Sequence, residues 1–249
     1  MVNFKFISQF NGFYMPFFKD DIKASHAKLI PHERFTGACA GTVAATLETL
    51  ILRKPFSSHF FKFDPRSLHP HPDSCVKNQF RYEKDTEHFF SIFLRDRLKV
   101  SQTGYPDDEH YCHEPNELLN AISNDPDINQ IILMNVIFKL KNAQMGKEFR
   151  QDHMIAMLQH EGQYYFVDPD AGIAVFDNIA NFKMWLKQEM FEGELKHFVE
   201  PIDKKIVLSS NKQNEDGMIL PVSLETQTVS MQHYHYSSSP QPPFLHSKL

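Results

Sequence analysis

The chain has 249 residues with 26 basic against 31 acidic side chains, a formal net charge of −5 with His counted neutral. At about 150 residues per domain this suits one large domain with extensions or two small ones, and a hydrophobic fraction of 41% excludes wholesale disorder. Mild acidity without a basic run excludes a dedicated nucleic-acid binder, and the most apolar run, Ile131 to Leu140, is broken by Asn135 and Lys139, well short of the roughly 18 apolar residues of a membrane helix.

The N-terminus, MVNFKFISQFNGFYMPFFKDD, is aromatic but interrupted by Asn3, Lys5, Ser8, Gln9, Asn11 and Gly12, with no small-residue cleavage pattern. It reads as folded chain rather than a signal peptide. Phe4, Phe6, Phe10, Phe13, Phe17 and Phe18 mark residues 1–30 as an aromatic strap packed across a domain. From Cys39 to Leu52, Val43, Leu47, Leu50 and Ile51 recur at helical spacing, and Pro55 closes the segment. A Pro- and His-rich loop follows, from Leu68 to Cys75. Glu83 to Val100 reads as a second helix with Phe89, Phe90, Phe93, Leu94 and Leu98 on one side, and Pro115 to Ser123 as a short third.

The second half changes period. Gln130 to Phe138, Met154 to Gln159, Tyr164 to Asp168 and Ile173 to Phe176 are short apolar runs separated by turn chemistry, including His160–Gln163 and Pro169–Gly172. They predict a meander of antiparallel strands. Asn178 to Met190 is an amphipathic helix with Trp185 in its core face, and Lys196–Pro201, Lys205–Leu208 and Met218–Leu224 offer further strands. Gln227 to Leu249 runs to Ser, Gln, His and Pro, so residues 226–249 are expected to be a disordered tail and residues 31–225 one catalytic domain.

Cys39, Cys75 and Cys112 are an odd number without framework spacing, which argues against a disulfide scaffold and for a reducing compartment. Cys39 stands apart because it opens a helix among small residues, Gly37, Ala38, Ala40 and Gly41. A thiol acts as a nucleophile in its thiolate form, and a helix N-terminus beside an imidazolium favours that form. The Cys39 backbone N–H is a natural oxyanion donor in the same place. A buried, inert packing cysteine is the competing reading.

His153, read at a strand start, and Asp168, at the end of the next strand, flank one tight turn. An antiparallel return therefore brings them to the same edge of a sheet, where a carboxylate can fix the imidazole tautomer and leave the other nitrogen to a thiol. Asp170, two residues on, is the alternative orienter, while Asp152 points to the opposite strand face. His69, His71 and Cys75 in one loop and His110, Cys112 and His113 in another suit zinc chemically. Their spacing matches no regular zinc module and 14 His make chance clustering common, so neither a metal nor a cofactor is expected.

The segments Gly37-Ala-Cys-Ala-Gly-Thr42, Asp152-His-Met-Ile-Ala156 and Tyr165-Phe-Val-Asp-Pro-Asp-Ala-Gly172 together resemble the papain-like cysteine proteases of bacterial effectors, the YopT/AvrPphB group. The resemblance implies an α+β papain-like fold, helical in its first half and antiparallel β in its second, with Cys39 as nucleophile, His153 as general base and Asp168 as orienter. Asp170 replaces the Asn that the group carries there, and no Gln precedes the cysteine at the usual oxyanion position, leaving Arg34, His32 or the Cys39 backbone to serve. It further implies a thiol hydrolase acting on a peptide or isopeptide bond of a host protein, delivered by a bacterial secretion system into the host cytosol, with room for a host adaptor as partner. Glutamine deamidation or transglutamination by the same three residues, and an inactive scaffold that binds a host protein, are the alternatives.

Overall fold

The computed structural model describes residues 4–16, 39–53, 86–98, 100, 110–111, 115–142, 148–192, 207–213 and 219–236. Among them, four α-helices are distinguished: α1 (Cys39–Ile51), α2 (Thr86–Arg97), α3 (Pro115–Ala121) and α4 (Ile179–Glu192). Eight strands accompany them, namely β1 (Phe13–Pro16), β2 (His110–Tyr111), β3 (Asn129–Asn142), β4 (Glu148–His160), β5 (Gln163–Asp168), β6 (Gly172–Phe176), β7 (Val207–Gln213) and β8 (Ile219–Tyr236). They form one antiparallel sheet in the order β1-β6-β5-β4-β3-β8-β2, with β7 also on β8. The molecule is α+β.

Alternation along the strands divides the core in two. On one face Ile131, Leu133, Met154, Ala156, Leu158, Tyr165, Val167 and Ile173 pack with α1 and α2. On the other, Ile132, Met134, Val136, Ile155, Met157, Tyr164, Phe166 and Phe176 pack with α4, α3 and the N-terminal segment. Helix α1 is buried from Ala40 through Thr49, as a helix apolar all round must be. Its small residues allow that, and two of its buried hydroxyls are satisfied within it: Thr46 and Thr49 donate to the carbonyls of Thr42 and Ala45, both at 2.8 Å. Buried Glu48 receives Arg97 of α2 at 2.9 Å, which ties the two helices together.

The register corrects two expectations. His153 does not open a strand; it is the sixth residue of β4, because β3 continues past Phe138 and pairs Lys141 with Glu148 and Ile137 with Asp152. The ladder is made by backbone groups, so the stretch from Glu148 to Asp152, polar but for Phe149, joins it without an apolar pattern. Residues 226–236, expected in a disordered tail, instead form the second half of β8, paired with β3 from Lys139↔Thr226 to Asn129↔Tyr236. Met231 and Tyr234 are buried there, and the Tyr236 hydroxyl hydrogen-bonds His160 Nδ1 at 2.9 Å across the intervening strand.

The remaining expectations fall close to their elements. Asn178, placed inside the last helix, is its cap: Oδ1 accepts the N–H groups of Ala180 at 2.8 Å and Asn181 at 3.1 Å. Trp185 is fully buried, with Phe4, Phe166, Phe176 and Phe182 around it. Phe4 of the strap is buried and Phe13 exposed. Phe17, Phe18, the Leu68–Cys75 loop, Cys112, His113, Lys196–Pro201 and residues 237–249 lie outside the described residues. No helix among the described residues is long and apolar enough to cross a membrane.

Candidate active site

Three elements converge where the β4–β5 ladder ends. That ladder runs from His160↔Gln163 to Ala156↔Val167, and His153 lies three residues beyond it, on a stretch of β4 that, among the described residues, pairs with β3 alone. Helix α1, about 20 Å long at 1.5 Å per residue, lies along β4 and β5 and matches the roughly 24 Å of strand from His153 to His160. Just past its far end, exposed Arg53 pairs with Glu161 in the β4–β5 turn, while the buried face of the helix packs on the sheet. Its first residue, Cys39, a half-buried free thiol, is thereby set against His153.

Asp168 completes the cluster. Its Oδ1 lies 3.0 Å from His153 Nε2, with side chains 3% and 12% exposed respectively. The low exposure makes this pair more than a surface contact, since neither partner is well screened by water. Asp168 is itself held by the turn after β5: Oδ1 accepts the Asp170 N–H at 2.8 Å, and its carbonyl accepts the Ala171 N–H at 3.0 Å. Asp170, the alternative orienter, thus supports Asp168 through its backbone, and the carboxylate that meets the imidazole is that of Asp168.

Burial alone would push the His153 imidazolium down. The charge and hydrogen bond of Asp168, joined by a hydrogen bond to Cys39 and its charge, outweigh that and hold it well above the usual histidine range. With Nε2 on Asp168, Nδ1 is the nitrogen left for the thiol. The arrangement favours a protonated imidazole between a carboxylate and a sulfur, which places an acid–base group beside a nucleophile. The Cys39 N–H is one of the first-turn groups that helix geometry leaves without an intrahelical acceptor, so it is a donor for an oxyanion formed at the sulfur. Arg34 and His32, the side-chain oxyanion candidates, lie outside the described residues.

One residue beside this cluster carried no sequence signal. Tyr14 of β1 donates its hydroxyl to the Ala171 carbonyl at 2.9 Å, from 157 positions away. Burial, and then the charge of Asp168, push its own ionisation up. Of the metal-like groups in the sequence, only His110 falls on a described element, β2.

No protein-family model matches this chain, and neither does any curated protein sequence. Solved structures similar to it include the Pseudomonas avirulence protein AvrPphB, at 13% identity and a TM-score of 0.42, over 89% of this chain and 98% of that one. PatoxP, a cysteine protease-like domain of the Photorhabdus asymbiotica toxin PaTox, is similar at 8% identity and a TM-score of 0.30, over 89% of this chain and 58% of that one. The YopT domain of the Pasteurella multocida PfhB2 toxin is similar at 13% identity and a TM-score of 0.25, over 85% of this chain and all of that domain.

Proposed function

We propose that the chain is a papain-like thiol hydrolase whose site is Cys39, His153 and Asp168. The observation that carries this reading is a single imidazole engaged on both sides, by the Asp168 carboxylate at 3.0 Å and by the thiol that opens α1. In the reaction the Cys39 thiolate attacks a substrate carbonyl carbon, and the carbonyl electrons move onto oxygen, an oxyanion to which the Cys39 N–H donates a hydrogen bond. Collapse breaks the C–N bond, and the His153 imidazolium gives its proton to the departing amine. The thioester is then hydrolysed by a water from which neutral His153 takes a proton, and release of the acid restores the starting pair.

Asp168 keeps Nε2 engaged throughout, so that Nδ1 remains on the sulfur. The substrate is a peptide or isopeptide bond in a host protein, and delivery into the host cytosol belongs to the same reading. Incubating purified wild type and Cys39→Ala with host-cell lysate tests it by mass spectrometry. New protein N-termini or released isopeptide-linked chains, seen with wild type alone, are the expected result. A mass change of about 1 Da at glutamine, or a cross-link, would assign the same thioester chemistry to deamidation or transglutamination. Identical lysates would leave a scaffold.

A further inference from the structure

The N-terminal segment is far from Cys39, His153 and Asp168 in sequence, yet it is built into the turn that aims the carboxylate. Strand β1 pairs with β6 from Phe13↔Val175 to Pro16↔Gly172, directly after that turn. Alternation puts Tyr14 on the face of Ala174, its cross-strand partner, and Phe166. The segment is firmly seated: Phe4 packs edge-on against Tyr14, Phe166 and Trp185, and the Phe6 N–H donates at 2.9 Å to the fully buried Glu189 of α4. Gly172 accommodates it, since a Cβ there would fall 2.2 Å from the Met15 carbonyl oxygen.

Three hydrogen bonds then run from the strap to the imidazole. Tyr14 Oη donates to the Ala171 carbonyl at 2.9 Å. The Ala171 N–H donates to the Asp168 carbonyl at 3.0 Å, and Asp168 Oδ1 receives His153 Nε2 at 3.0 Å. We propose that Tyr14 is a positioning residue for the site: its hydroxyl holds the Asp168–Ala171 turn, and so sets how closely the Asp168 carboxylate supports the His153 imidazolium. The strap residues 4–16 are on this account a component of the hydrolase, and a chain lacking them keeps its thiol but not its pairing. The inference rests on the triad reading above.

The rate of Cys39 alkylation by iodoacetamide, followed across pH, tests it on the full-length chain, with the site of labelling checked by mass spectrometry. An imidazolium-paired thiolate gives a plateau bounded by two inflections, and loosening Asp168 lowers the upper one, which is set by loss of the imidazolium proton. Tyr14→Phe keeps the ring and removes the hydroxyl; the expected result is a plateau narrowed at its alkaline edge, with the imidazolium proton held roughly five-fold more weakly, the equivalent of one neutral hydrogen bond. Phe13→Ser, an exposed change on the same strand, should leave the profile as in wild type. A plateau in wild type that Tyr14→Phe leaves unchanged overturns the inference and spares the triad. Equal narrowing in both variants also overturns it, because strand docking and not the hydroxyl would then be at work. A single inflection in wild type, as for an isolated thiol, overturns both.

Discussion

His153 is where the residue-scale physics is concentrated. Its folded-state ionisation lies above the ordinary value of 6.5, so it contributes stability that is fully present below about pH 6.5 and is lost as pH rises through the folded value. Thermal midpoints of wild type and His153→Gln measured against pH should therefore converge on the alkaline side; parallel curves would show that the imidazole is not held protonated. Asp168→Asn keeps the shape of the side chain but removes the charge, and its amide can present a donor to Nε2. Turnover should fall by about 10²-fold or more; because one oxygen, Oδ1, accepts both His153 Nε2 and the Asp170 N–H, an amide turned to donate to Nε2 also leaves the Asp170 N–H without its acceptor, and the midpoint should fall as well. Unchanged turnover would place the orienting role elsewhere. The spacing of His153 and Asp168 around a two-residue turn made their meeting legible in sequence, because an antiparallel return fixes which residues share an edge. Tyr14 was not legible, since nothing in a lone tyrosine of an aromatic stretch points to a carbonyl 157 residues away.

At the scale of elements, the docking of β1 is the sensitive joint. Gly172 has φ of +149°, and a Cβ added to it would meet the Met15 oxygen at 2.2 Å and Pro16 Cα at 2.9 Å, both of them backbone atoms that cannot swing aside. Gly172→Ala should lower unfolding free energy by more than about 1 kcal/mol and should make the N-terminal segment open to limited proteolysis; retained protection would mean that β1 docks by other contacts. Helix α1 was readable because small and apolar residues recur at helical spacing from Cys39 onward. The length of β4 was not, because its first five residues, Glu148–Asp152, are polar or isolated in pattern and join the sheet through backbone pairing with β3. The same physics hid the cap of α4, where Asn178 reads equally well as a first helical residue and as the acceptor for Ala180 and Asn181.

For the whole molecule, β8 decides what counts as the domain. Its sequence is rich in Gln, Ser, Thr and His, which reads as solvated tail, yet it pairs with β3 along its length and buries Met231 and Tyr234. A chain ended after Glu225 would strip β3 of its partner from Asn129 to Lys139 and remove the Tyr236–His160 contact. Such a chain should lose cooperative unfolding, and a thermal midpoint like that of the full chain would show β8 to be dispensable. The sheet and its two cores in turn hold β4 and α1 side by side, which is the geometry that brings Cys39 to His153. The most direct measurement is therefore labelling of Cys39 by a peptide-based electrophilic thiol probe, compared between wild type and His153→Ala at neutral pH. The account predicts rapid stoichiometric labelling of Cys39 in wild type and loss of it in the variant with the fold intact; equal labelling of the two proteins would contradict a catalytic Cys39–His153 pair.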